Sequence, residues 1–373
     1  MARGAYIGVN NVARKIKKGY IGVDGVARKI KKAYIGIGGV ARPCWSGGEP
    51  VYYGTITGLS VGRHGLASTT VGDYALFGGG CQNSTYKDTV DAYDKSLVRS
   101  IPTALGGNRR FLAAASVGDH ALFGGGQTSS YFANVYAYNT ALTRSIATSL
   151  FSSKAYLAAT SSQNYALFGG GKYSMITSTV DAYDSSLTRT RPDSLQQSSY
   201  NLAATTIGDY SLFGGGEAGS STLRDRVTAY NKSLTVSNAT NLSSARTTLA
   251  ATHVGNYALF GGGLVDDTPT AVVDAYDSSL TRSTPTVLSV PRDKLAATSI
   301  GNYALFGGGE SSSGAETCVD VYDTSLTRTS TTVLTTARYY LTAVTLGNYA
   351  MFGGGTSGGS NAWKDEVAVY TIT

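Results

Sequence analysis

Two sets of side chains in this chain of 373 residues have the types and the spacing for ligand chemistry. One is a mostly basic position that returns at intervals of 45 to 47 residues, with a serine (Ser199) in one copy. Its basic members are Arg63, Arg109, Lys154, Arg246, Arg292 and Arg338. The other set consists of aromatic and charged residues in segments that differ from copy to copy: Tyr86, Tyr131, Phe132, Tyr173, Arg224, Asp266, Glu310 and Trp363.

Each set has a functional and a structural interpretation. A seven-fold arrangement would place the basic residues around a channel mouth, where they would attract an acidic ligand or pair with neighbouring carboxylates and carbonyls. The aromatic residues would stack on sugar rings or anchor a protein contact. The alternative for the variable segments is that unconstrained surface loops simply diverge.

Seven copies of a short motif predict the elements that position these residues. The copies begin at Tyr74, His120, Tyr165, Tyr210, Tyr257, Tyr303 and Tyr349, and most read Tyr-Ala-Leu-Phe-Gly-Gly-Gly. A steady period in the forties indicates a propeller or a solenoid with one supersecondary unit per repeat. Each repeat has four short strand patterns joined by turn signals, which is typical of one propeller blade.

The pattern also predicts how the ring closes and where it packs. The last copy ends at its third strand, so the segment Tyr52–Arg63 is expected to supply the fourth strand of blade seven. The recurring Phe and Tyr are expected in the core, and the triple glycine at tight strand ends rather than in a phosphate-binding loop. The second-to-third-strand loops share one face with the basic positions, and the near-identical turns lie on the other.

The strand ending in Gly-Gly, followed a dozen residues later by Val-x-x-Tyr-Asp, resembles the kelch repeat over residues 52–373. This resemblance implies an all-β, seven-bladed β-propeller. It also raises the question of catalysis, since kelch-like galactose oxidases bind copper. The three histidines (His64, His120, His253) fall in different copies, and the Ser-x-Asp-x-Gly-x-Thr-Trp motif of sialidases is absent. We therefore expect no catalytic residues, no metal and no cofactor.

The first 48 residues differ in charge and in period. They hold ten Lys and Arg against one acid, a net charge of +9, whereas the other 325 residues carry −2. A 14-residue unit occurs three times, and each unit predicts a small hairpin that is stable only against a partner. We therefore expect a docking segment at 1–48 and a propeller at 49–373. The candidate docking residues are Arg14, Lys15, Lys17, Lys18, Arg28, Lys29, Lys31 and Lys32.

The tandem units at residues 5–46 resemble N-terminal segments of structural proteins from tailed phages and prophages. The resemblance implies a non-enzymatic virion protein, made in a bacterial cytoplasm, acting in several copies. Its docking segment would bind other virion proteins, and its propeller a host-surface glycan or protein. Alternatives are a decoration protein that contacts only virion subunits, and an enzyme acting on surface polysaccharide. Neither membrane insertion nor nucleic-acid binding is expected.

Overall fold

The structure is a computed structural model that describes residues 48–219, 222–330, 333–359 and 362–372, and the backbone of six strands between residues 6 and 45. Within these ranges the chain forms strands and turns and no helix, so no described helix could cross a membrane. Seven four-stranded antiparallel sheets form the seven blades predicted from the repeats.

The strands of a blade follow one another outward from the central axis. The inner strands are Ala67–Val71, Ala113–Val117, Ala158–Ser161, Ala203–Ile207, Ala250–Val254, Ala296–Ile300 and Thr342–Leu346. The second strands are Tyr74–Gly78, His120–Gly124, Ala166–Gly169, Tyr210–Gly214, Tyr257–Gly261, Tyr303–Gly307 and Tyr349–Gly353. The third strands are Val90–Asp94, Val135–Asn139, Val180–Tyr183, Val227–Tyr230, Val273–Tyr276, Val319–Asp323 and Val367–Thr371. The outer strands are Arg99–Ser100, Arg144–Ala147, Arg189–Thr190, Val236–Asn238, Arg282–Ser283, Arg328–Ser330 and, for blade seven, Val51–Ile56.

The strand Val51–Ile56 closes the ring as the sequence predicts. It pairs antiparallel with Val367–Thr371, so that Val367 faces Ile56 and Thr371 faces Val51, with a bulge between Val369 and Tyr370. The last blade is thereby completed by a strand from the start of the propeller. This exchange covers an edge that would otherwise expose unpaired backbone groups.

The core lies between neighbouring blades, and recurring Phe–Tyr pairs occupy it. In every blade a phenylalanine of the second strand meets a tyrosine of the third edge to face, with ring centroids 5.7 to 6.0 Å apart. These rings are almost completely buried, and burying one such side chain contributes about 1.5–3 kcal/mol. The expectation that they form the core is confirmed.

Three minor hairpins extend the second-to-third-strand loops of blades one, five and six. Their strands are Cys81–Gln82 with Thr85–Tyr86, Leu264–Val265 with Thr268–Pro269, and Glu310–Ser311 with Gly314–Ala315. These loops and the blade-to-blade connections lie at one end of the ring, here called the loop face. The two-residue turns lie at the other end, here called the turn face.

The N-terminal repeats form three hairpins in the described backbone. Their strands are Tyr6–Val9 with Val12–Lys15, Gly19–Val23 with Val26–Ile30, and Ala33–Ile37 with Val40–Trp45. The innermost pairs, such as Val9 with Val12, flank the two positions where the sequence predicts each turn.

Candidate functional site

The recurring basic residues lie inside the ring rather than at a channel mouth. Arg63, Lys154, Arg246, Arg292 and Arg338 have no exposed surface, and Arg109 is 1% exposed. The Arg63 guanidinium donates to the carbonyls of Gly79 (2.7 Å) and Phe77 (3.1 Å) and to Asp91 Oδ2 (2.7 Å). The prediction of a basic ring open to ligands at the channel mouth is therefore wrong, because these cations are buried within the blades.

In most blades one buried carboxylate of the third strand holds two cations. In blade six, Asp320 lies 2.9 Å from the buried Arg292 and 3.0 Å from Arg328 of the outer strand. Asp91, Asp181 and Asp274 repeat this arrangement in blades one, three and five. The outer-strand arginines of these four ion pairs, Arg99, Arg189, Arg282 and Arg328, are about three-quarters buried.

The other three blades lack an aspartate at this position of the third strand. Arg109 lies over the rings of Phe132 (4.7 Å) and Tyr136 (4.9 Å), which supply a cation–π environment. In blade four the serine Ser199 donates to the Gly215 carbonyl at 2.7 Å, and the third strand carries a threonine. In blade seven Glu366 pairs with Arg338 at 2.9 Å.

A different ring of residues surrounds the mouth on the loop face. It consists of the second residue after each basic position or its serine: Gly65, Phe111, Tyr156, Asn201, Thr248, Lys294 and Tyr340. Each has a positive φ, between 50° and 65°, which is uncommon outside glycine. Each backbone N–H donates to the carbonyl of the ring residue in the preceding blade at 2.8–3.1 Å, so seven hydrogen bonds form a closed circle. The mouth is thus built on a backbone whose hydrogen bonds are already satisfied.

Aromatic side chains dominate one part of this mouth. The mouth as a whole contains an open cavity of about 310 Å³. The Phe111 ring stacks on Tyr156 with centroids 4.4 Å apart and meets Tyr340 edge to face at 5.5 Å. Tyr200 continues the cluster, 6.2 Å from Tyr156. Burial and the nearby Arg110 lower the pKa of His64, which lies 6.5 Å from Phe111.

Charged side chains are distributed unevenly around the mouth. The guanidinium of Arg110 lies over Tyr86 (5.4 Å) and Phe111 (4.8 Å), and Lys172 Nζ lies over Tyr200 (4.0 Å) and Tyr156 (5.0 Å). On another side of the mouth, Lys294 pairs with Asp293 at 3.6 Å and with Glu310. Thr248 Oγ1 also donates to Asp293 Oδ2 at 3.0 Å.

The eight loop residues suggested by the sequence do not come together as one site. Tyr86 adjoins the mouth through Arg110, and Glu310 adjoins it through Lys294. Tyr131 meets Tyr173 edge to face at 5.3 Å, and Tyr173 is 57% exposed. Phe132 covers the buried Arg109 and has a packing role.

The remaining three lie in other blades. Arg224 donates to the Ser198 carbonyl in blade four, Asp266 is exposed in the tight turn of a blade-five hairpin, and Trp363 is half-buried in blade seven. The candidate docking residues Arg14, Lys15, Arg28 and Lys29 lie on hairpin strands. Lys17, Lys18, Lys31 and Lys32 lie outside the described residues.

Sequence reasoning missed the mouth residues Phe111, Tyr156, Tyr200, Lys294 and Tyr340. A usable signal exists: they stand one or two positions after the recurring basic residue or the serine that replaces it, and two of the seven ring residues are tyrosine and one is phenylalanine. Within the described ranges no three His, Cys, Asp or Glu side chains come together as a metal site would require.

Comparison with known proteins supports the fold alone. The chain is similar to the solved structure of YjhT, with a TM-score of 0.60 and 16% sequence identity over 74% of this chain and 99% of that one. No protein-family model and no curated protein matches the sequence.

Proposed function

We propose that this chain is a non-enzymatic binding protein of a phage particle, whose propeller captures a glycan or protein on the host surface. The observation that carries the binding function is the open mouth on the loop face, where Phe111, Tyr156, Tyr340 and Lys294 are among the residues that line a cavity of about 310 Å³. A concave site that combines apolar rings with a few polar groups is typical of ligand recognition.

The contrast between the two faces supports this choice. The turns on the turn face are nearly the same in all copies, as in Gly72-Asp73 and Gly118-Asp119. The loops on the other face differ in every blade, and recognition usually resides in loops held by a rigid scaffold. The loop face is therefore the side that we assign to the target.

The basic hairpin segment supports anchoring to a larger assembly. A two-stranded hairpin alone is marginally stable, and the first two of the three tandem units carry the same Arg-Lys-Ile-Lys-Lys sequence. We assign this segment to contacts with other virion proteins. Many copies on one particle would then turn weak single-site binding into firm attachment.

The test is binding of the labelled full-length protein to intact cells of the bacterial host. We expect saturable binding that purified surface polysaccharide competes. Tyr156→Ala, which removes a ring from the mouth, should abolish it, whereas Lys95→Ala on the turn face should not. Absence of binding, even after the protein is clustered on beads, would contradict the proposal and favour a purely structural decoration protein. Cleavage of the polysaccharide during the assay would contradict the non-enzymatic assignment.

A further inference from the structure

Aromatic rings and cations alternate along one side of the mouth. The order is Tyr86, Arg110, Phe111, Tyr156, Lys172 and Tyr200, and each neighbour lies within 5.4 Å of the next. These residues come from the loops and connections of blades one to four, so the series spans about half of the ring. We call it the cation–aromatic ladder.

The two cations of the ladder carry charge that no carboxylate neutralises. Among the described residues neither Arg110 nor Lys172 forms an ion pair, and Arg110 Nε is buried without a hydrogen-bond partner. Glu217, an acid beside Tyr200, accepts a hydrogen bond from Asn201 Nδ2 at 3.1 Å and another from Tyr200. Both cations lie over rings that line the mouth, Arg110 over Phe111 and Lys172 over Tyr156, and neither has a carboxylate partner among the described residues.

Another side of the mouth lacks this capacity. Lys294 is held between Asp293 and Glu310, and Asp293 is further bonded by Thr248. That side holds one base, Lys294, against two acids, Asp293 and Glu310. An anion entering the mouth would therefore be drawn towards Arg110 and Lys172 and away from Asp293 and Glu310.

We infer that the mouth binds a saccharide unit that bears an anionic group, a carboxylate or a phosphate. The sugar ring lies against Phe111 and Tyr156, and the anionic group is held by Arg110 and Lys172. Guanidinium and ammonium groups donate charge-assisted hydrogen bonds to either anion, and aromatic side chains offer the apolar surface that a sugar ring covers. The cavity is at the small end of ligand pockets, which fits one unit rather than a long chain. This inference rests on the proposed function and specifies its ligand.

The test is a titration of the full-length protein with glucuronic acid, glucose 6-phosphate and glucose, followed by calorimetry. We expect at least one acid to bind about tenfold more tightly than glucose, a difference of about 1.4 kcal/mol, and to weaken as salt rises. The two acidic probes distinguish a carboxylate from a phosphate ligand. The double variant Arg110→Gln/Lys172→Gln should reduce the affinity for the acid to that for glucose.

The matched control is Lys95→Gln/Lys232→Gln, which removes the same charge from exposed positions on the turn face and should keep the preference. Equal affinity for all three sugars, or an unchanged preference in the Arg110/Lys172 variant, would overturn the inference. If none of the three sugars binds but the protein still binds host cells, the inference of an anionic saccharide is wrong and the proposed function stands. If host cells do not bind either, the proposed function itself has failed.

Discussion

At the scale of single residues, the chain contains two solutions to the same packing position. Blade six buries Arg292 and Asp320 and adds Arg328, whereas blade four has Ser199, Thr228 and Val236 at the equivalent positions. All three charges are absent together in blade four, where a cavity of only about 10 Å³ remains beside Ser199, lined also by Arg224. Buried ion pairs tolerate joint replacement by neutral side chains far better than the loss of one partner.

We therefore predict that Asp320→Ala destabilises the propeller strongly. It leaves Arg292 buried without its carboxylate and removes a partner of Arg328, which should cost about 3–5 kcal/mol. The triple variant Arg292→Ser/Asp320→Thr/Arg328→Val copies blade four and should recover part of this loss, although a cavity remains. Urea unfolding of the three proteins measures both values. A triple variant less stable than Asp320→Ala would contradict this account.

The same residues show what the sequence could and could not predict. The period of the basic position is plain, but its spacing does not say whether the side chain points to the mouth or into the blade. A signal for the second answer was present, because Asp91, Asp181, Asp274 and Asp320 accompany a basic residue and blade four lacks both. The ring at the mouth has a weaker signal: it recurs two positions after the basic residue, but its side chains range from Gly65 to Lys294 and its members share only a backbone conformation.

At the scale of elements, the first glycine of each triplet is explained by the neighbouring blade. The ring of Phe352 lies against Gly307, and a Cβ added there would come within 2.6 Å of Phe352 Cε1. The second and third glycines have positive φ, as at Gly308 (64°) and Gly309 (109°). The sequence predicted tight strand ends, which fits the last two. It gave no indication that the first glycine makes room for a ring from another repeat.

This contact predicts a graded effect of a single methyl group. At Gly124 the added Cβ would lie 3.1 Å from Phe168 Cε1, compared with 2.6 Å at Gly307, and neither glycine has a positive φ. Gly307→Ala should cost roughly 1–3 kcal/mol through overpacking, and Gly124→Ala should cost less. Thermal unfolding of the two variants compares them directly. Equal losses would show that the ring contact does not set the requirement for glycine.

At the scale of the whole molecule, the propeller and the hairpin segment are joined close to the strand that closes the ring. The strand Val51–Ile56 follows within six residues of the last hairpin strand, Val40–Trp45. The repeats were sufficient to predict seven blades, and the missing fourth strand of the last copy was sufficient to predict how the ring closes. A contact between the hairpins and a partner depends on a molecule outside the chain, and the sequence can only suggest one.

Two deletions separate the two roles of this region. Removing residues 1–48 keeps the closing strand, so the unfolding temperature should remain near that of the full chain while incorporation into particles is lost. Removing residues 1–56 also exposes the edge of Val367–Thr371, whose backbone pairs with Val51–Ile56 in the intact ring. We expect that protein to unfold at a much lower temperature and to aggregate, because an unpaired edge strand is a template for association.

Thermal unfolding and size-exclusion chromatography measure the stability and the aggregation of both deletions, and the protein content of purified particles measures incorporation. Normal incorporation of the shorter deletion would contradict the docking role, and an unchanged unfolding temperature of the longer one would contradict closure by strand exchange.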